Sequence, residues 1–184
     1  MPVRLNPLLI PNPVNPELPH LVWDISQNPS RTRRITGAHT IISARPQLNE
    51  QAIVPDTHVV YIALQASIVQ QLWGPIKILK QTTVTAGDIL FAIYDYFQTP
   101  LTHAEVDFLS GLHPDNYPRL VDAWMARCNV TPALPGFEAR QGLKRVDILG
   151  DRRCWWGCWV CVDQASGSWY LNLGLVNLLP GLDQ

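Results

Sequence analysis

Three cysteines stand in CWWGCWVC, residues 154 to 161, at the spacing C-x3-C-x2-C that iron–sulfur enzymes use to hold a cluster. Such chemistry needs convergence: two thiolates on one zinc, at ~2.3 Å each, come within about 4 Å of one another. The tryptophans and valines around these cysteines are strand formers. In a strand side chains alternate, which places Cys154, Trp156, Cys158, Val160 and Val162 on one face and Trp155, Gly157, Trp159 and Cys161 on the other. Cys154 and Cys158 then lie about 13 Å apart at ~3.3 Å per residue, too far to share an ion. A radical-cluster enzyme also builds a barrel after its cysteine loop, and little chain follows Cys161. Zinc through Cys128 and a histidine is the remaining metal route, yet His20, His39, His58, His103 and His113 form no ligand pair on one helix turn or tight loop. The motif reads as a strand whose thiols behave as small apolar groups, with no metal and no cofactor expected.

The other reactive types are as scattered. His103, Glu105 and Asp107 are near in sequence, but helix neighbours two apart point away from each other. No G-x-S-x-G elbow, P-loop or G-x-G-x-x-G fingerprint occurs. Arg145 and Asp147 alternate against Val146 and Ile148 over 143 to 149, either as a solvated or salt-bridged strand face or as the polar lip of an apolar pocket. Asp24 beside Trp23 admits the same two readings. With His58 and Tyr61 these make the candidate ligand- or partner-binding set: Trp23, Asp24, His58, Tyr61, Arg145 and Asp147.

The elements that must position them follow from periodicity. Residues 1 to 19 hold Pro2, Pro7, Pro11, Pro13, Pro16 and Pro19 and form a proline-rich arm, whose Leu8, Leu9 and Ile10 favour docking over solvation. LVWDIS (21 to 26) alternates as a half-buried strand, and NPSRTRR (28 to 34) is a basic loop. HVVYIALQ (58 to 65) and GPIKILK (74 to 80) are strands. Thr85 with Asp88, and Thr102 with Glu105, open helices over 86 to 98 and from 103 to about 109. Pro118 starts a third helix ending near Cys128. The helix 86 to 98 shows no solvent face, so either the sheet and a second helix flank it or part of it is a partner surface. After a loop at 131 to 137, strands at 143 to 149, 154 to 162 and 169 to 176 are expected as a C-terminal three-stranded meander.

At 184 residues the chain fits one domain, taken as 20 to 184 behind the arm, and needs no disulfide or metal staple. Hydrophobic residues make up 47% and charged residues 16%, which excludes disorder of the whole chain and points to a large core or a partly apolar surface. The net charge of −1 provides no field for nucleic acid or anionic lipid, although Arg31, Arg33, Arg34, Arg152 and Arg153 are the residues through which nucleic acid would be held. No apolar run is long enough for a secretory signal or a membrane span, so an intracellular protein, cytoplasmic or nuclear, with reduced cysteines is expected. Seven tryptophans suit both a core and partner anchors.

In order along the chain, WDIS (23 to 26), the ARP turn (44 to 46), LWGPIKI (72 to 78), VTAGDILFAIYDYFQTPLTHAE (84 to 105) and GLKRVDILG (142 to 150) with the aromatic-glycine pair after it resemble a family of uncharacterised domains abundant in mushroom-forming basidiomycete fungi. The resemblance implies a basidiomycete origin and a compact α+β domain without signal or membrane segments. It implies no reaction.

The expected fold is α+β, a mainly antiparallel sheet of about five strands with an inserted helical segment. The expected function is a non-enzymatic binding or assembly module that uses aromatic and aliphatic surface, through a protein partner or self-association as a homodimer. The alternative is an enzyme acting on a small, largely apolar metabolite held between sheet and helices. Nucleic acid is the disfavoured partner.

Overall fold

The structure, a computed structural model, describes residues 2–36, 40–64, 67–131 and 134–177. His39 and the end of the chain past Asn177 lie outside the described residues, as do Gln65 of the second expected strand and residues 132 and 133 of the expected loop.

The α+β class stands. In chain order the elements are β1 (Arg4–Leu5), β2 (Leu21–Val22), β3 (Arg33–Ile35), β4 (Ile41–Ser43), β5 (Ile53–Val54), β6 (Val59–Ala63), α1 (Ile68–Trp73), β7 (Ile76–Leu79), α2 (Ala86–Gln98), α3 (His103–Leu112), α4 (Asn116–Val130), α5 (Pro135–Arg140), β8 (Cys154–Val162) and β9 (Trp169–Val176). Short 3-10 turns occupy Pro29–Arg31, Arg45–Asn49 and Arg145–Leu149. The expected single sheet is divided: β7-β6-β9-β8 form the main one, β2-β3-β4 a second and β1-β5 a third. Within the main sheet β6 runs parallel to β9, and the other pairs are antiparallel. Helices α2 to α5 lie between β7 and β8 in sequence, the insertion that the periodicity predicts, and α1 lies ahead of β7.

Helix α2 is the centre of the molecule. Thr85 Oγ1 accepts the Asp88 N–H, and Asp88 Oδ2 accepts the Thr85 N–H at 2.7 Å, so both donors of a capping box are satisfied. Ile89, Leu90, Ile93 and Phe97 are fully buried, facing Val60, Ile62, Ile76 and Ile78 of the sheet across one core. The helix packs against β7 and against all three 3-10 turns, with no flanking parallel helix, and leaves Phe91 exposed on its outer face. A β-carbon on Gly87 would stand 2.9 Å from the Leu48 carbonyl oxygen, so the first turn of α2 meets the Arg45–Asn49 turn backbone to backbone.

Two expectations need correction. The segment 143 to 149 is not a strand: Arg145–Leu149 is a 3-10 turn, and only β8 and β9 remain of the meander. Consecutive Val146 and Asp147 are both buried, which a strand with one solvated face forbids, and Asp147 Oδ2 accepts the Lys144 N–H at 2.8 Å to hold the turn. The alternation of β8 is also broken, because a bulge between Trp155 and Gly157 pairs Gly157 with Gly174 and Cys158 with Leu173. Trp155 and Cys158 therefore both join the core, while Trp156 and Trp159 meet edge to face at 5.6 Å. Smaller departures follow the same logic of short pairings: the basic stretch contains β3, and α1 and α5 lie where no helix was expected.

The arm docks. Arg4 and Leu5 pair with β5, the Asn6 N–H donates to the Ala52 carbonyl, and Leu9 is completely buried.

Candidate functional site

The six candidate residues occupy three separate places. Trp23 is 3% exposed, packs its ring 5.9 Å from that of Trp155, and donates its indole N–H to the Gln27 carbonyl at 2.8 Å. Beside it, Asp24 accepts from Arg153 Nε at 2.8 Å and from the Ser26 N–H at 2.9 Å. His58 is exposed at the start of β6, with Nδ1 3.1 Å from the Lys80 carbonyl oxygen, and Tyr61 faces outward beneath Lys77 Nζ at 5.7 Å. Arg145 and Asp147 stand on the 3-10 turn, and they do different things there.

Arg145 places its guanidinium 4.5 Å from the Trp73 ring centroid and 4.9 Å from that of Tyr96. Trp73 in turn donates its indole N–H to Glu105, the capping residue of α3, and the Tyr96 hydroxyl donates to the Gly74 carbonyl at 2.8 Å. One cation thus joins the ends of α1, α2 and α3. Burial pushes the Tyr96 phenol up, against the opposing pull of Arg145.

Asp147 belongs to a buried ionic cluster. Arg127 of α4 donates Nε to its Oδ1 at 2.8 Å and Nη2 to its Oδ2 at 2.9 Å. Arg127 also donates to Glu138 of α5 and, at 2.9 Å, to the Gly142 carbonyl. Lys144 closes the set by donating to Glu138 and, at 2.8 Å, to Gln98 Oε1 at the end of α2. Burial works against the charge on Arg127, but Asp147 and Glu138 outweigh it and hold the guanidinium pKa above its ordinary value. Two cations satisfy two carboxylates here. A general base needs a lone pair aimed at a substrate, whereas these carboxylates are aimed at Arg127 and Lys144. The cluster forms the floor of a pocket of about 360 Å³ whose walls include Gln27, Asn28, Tyr94 and Gln141. Sequence reasoning missed Arg127, Glu138 and Lys144. The legible signal was the placing of Arg127 in register with Leu120 and Ala123, seven and four residues before it on the buried face of α4.

A larger surface lies on the other side of the 3-10 turn. A half-open groove of about 740 Å³ runs between α3, α4 and the turn, floored by Leu109, Leu120, Ala123 and Ile148 and lipped by Arg119 and Asp151. Ile68, Ile148 and Leu149 are shared with a second groove of about 620 Å³ that carries Trp156 and Trp159 in its wall. Helix α3 fully buries only Leu109, while Phe108 and Leu112 stay about half exposed, as do Tyr117 and Met125 of α4.

The cysteines do not converge. Among the described residues no disulfide joins Cys128, Cys154, Cys158 or Cys161, and no three of His, Cys, Asp or Glu gather as a metal site. Burial pushes the Cys158 thiol far up, so it is a neutral core group. No helix among the described residues is long and apolar enough to cross a membrane.

Searches of curated proteins and of solved structures return no significant match. The model of one protein family matches residues 21–168, which takes in every element from β2 to β8 and leaves out the arm. The chain belongs to DUF6699, a family of unknown function.

Proposed function

We propose that this domain is a non-enzymatic binding or assembly module whose working surface is the apolar groove beside α3 and α4. The observation that supports it is the imbalance of α3: a helix with a capping box at its N-terminus and several apolar side chains that fully buries only Leu109 and leaves Phe108 and Leu112 about half exposed next to an open, apolar-floored groove. The partner this surface suits is a protein segment bearing spaced aliphatic or aromatic anchors, including the same surface of a second copy. An enzyme for a small apolar metabolite would need polar side chains converging on an apolar cavity, and the six candidates stand in three places. On the order of its motifs we further read the chain as an intracellular protein of basidiomycete origin.

Selection of a random peptide library on the immobilised full chain tests the proposal, with the variant Phe108→Glu/Leu112→Glu as counter-target. Peptides with spaced apolar anchors that lose binding to the variant are the expected result. Peptides that bind both proteins equally, or no enrichment, would refute it. Mass in dilute solution separates a foreign segment from self-association.

A further inference from the structure

Strand β8 is an outer strand of the main sheet, bonded to β9 on one side. On its other side Trp23 covers one end, its carbonyl accepting the Trp155 N–H at 2.8 Å. The arm covers the next stretch. The Cys158 N–H donates to the Leu9 carbonyl at 2.6 Å, and the Leu9 side chain is buried in the core. Two residues on, Pro11 lies on Gly157, where a β-carbon would stand 2.5 Å from the proline nitrogen; the φ of +145° is one that side-chain-bearing residues rarely adopt. Further along, the Trp156 indole N–H donates to the Pro16 carbonyl at 2.9 Å.

Each contact selects a property of the visitor. The Cys158 N–H takes a carbonyl at the end of a turn, which the Leu9 N–H closes on the Asn6 carbonyl at 2.9 Å, and the core recess takes an aliphatic side chain. The surface at Gly157 takes a residue with no N–H to lose, which is proline, and an indole donor gripping a carbonyl of a proline-rich stretch is how aromatic grooves read such segments. Trp156, Gly157 and Cys158 lie inside the region that the family model covers, whereas the arm lies outside it. The bed lies in the matched region, and the arm that fills it, like β9, lies outside it.

We infer that the β8 edge around Trp156 and Gly157 is a recognition site for a proline-rich segment of another protein that turns at a leucine two residues before proline, and that residues 4–16 of this chain hold it closed. The site is distinct from the groove beside α3 and α4, and neither proposal depends on the other. A short link joins Pro16 to β2 and keeps the arm at an effective concentration in the millimolar range, so a free segment competes poorly until the arm is weakened.

The probe is a fluorescein-labelled peptide with the sequence of residues 2–19, titrated by anisotropy into the full chain and its full-length variants. The Leu9→Asp chain, checked as folded by circular dichroism, binds the peptide at least tenfold more tightly than the wild type. Adding Trp156→Phe to it weakens binding several-fold, and a scrambled peptide does not bind. A folded Leu9→Asp chain that ignores the peptide, or binding unmoved by Trp156→Phe, overturns the inference. Should Leu9→Asp not fold, hydrogen exchange on the wild type decides: the Cys158 amide exchanges at least tenfold faster than that of Trp155 if the arm opens locally, and equal protection overturns the inference. A wild-type dimer that the free peptide dissociates would make a second copy the occupant and overturn the assignment of a foreign partner.

Discussion

Arg127 holds Asp147 by two parallel hydrogen bonds, 2.8 and 2.9 Å long, with both side chains almost wholly out of water. Removing one partner leaves the cluster of Arg127, Lys144, Glu138 and Asp147 with one buried charge in excess, at a cost of about 3–5 kcal/mol, whereas exchanging both for apolar groups keeps it balanced and can be neutral. Asp147→Ala should therefore lower the unfolding free energy by about 3–5 kcal/mol in a urea titration, and Arg127→Met/Asp147→Leu by clearly less than the two single changes added. A loss below about 1 kcal/mol for Asp147→Ala would place the pair among ornamental contacts.

Gly87→Ala pits two magnitudes against each other. Alanine is favoured over glycine in a helix interior by about 1 kcal/mol. Here its β-carbon would stand 2.9 Å from the Leu48 carbonyl oxygen, a backbone atom that cannot swing aside. Overpacking of this kind costs about 1–3 kcal/mol, so the net effect should be destabilising, with the midpoint of urea unfolding shifted down and its slope unchanged. A stabilised variant would mean that the Arg45–Asn49 turn moves freely on α2.

The same residue shows which parts of the fold were legible. Thr85 and Asp88 announced the start of α2, and the aromatic and β-branched runs between turn-rich loops announced β8 and β9, because caps and strand-forming runs leave a local mark. Gly87 carried no such mark, since its neighbour Leu48 is brought there only by tertiary folding. The segment Arg145–Leu149 misled for a related reason: four residues of alternating polarity fit a strand, and only Arg127, distant in sequence, makes burial of Asp147 tolerable. The bulge at Trp156 left no local mark either, and the arm that lies across Gly157 there is distant in sequence. Of the candidate site, the individual residues were visible in the sequence and their separation into three places was not.

Thiol chemistry should separate the cysteines. Burial raises the pKa of Cys158 and of Cys128, so both stay protonated where alkylating reagents need the thiolate. Cys154 and Cys161 are partly exposed. Iodoacetamide at about pH 8 should modify Cys161 and Cys154 in the native protein and reach Cys158 only after urea unfolding, as read by peptide mass spectrometry. Early modification of Cys158 would contradict its place in the core.

The capping carboxylates give stability a dependence on acid. Burial by itself would raise the pKa of Asp88, but hydrogen bonds from Lys80 and from the backbone and hydroxyl of Thr85 outweigh it and leave the value lowered. For Glu105 burial is likewise outweighed, by donors on Thr102 and Trp73. A carboxylate with a depressed folded pKa contributes stability that is present above its unfolded pKa and lost as pH falls through the folded one. The loss should therefore set in as pH falls below about 4.5 and deepen as it falls further through the lowered folded values. Asp163, lowered by Ser166 and Ala165 in the turn between β8 and β9, shifts in the same direction and adds to the slope. Asp88→Asn/Glu105→Gln should melt lower than the wild type at pH 7 and lose less of its melting temperature on acidification. Parallel melting curves for the two proteins across that window would show that the two caps carry none of the acid sensitivity.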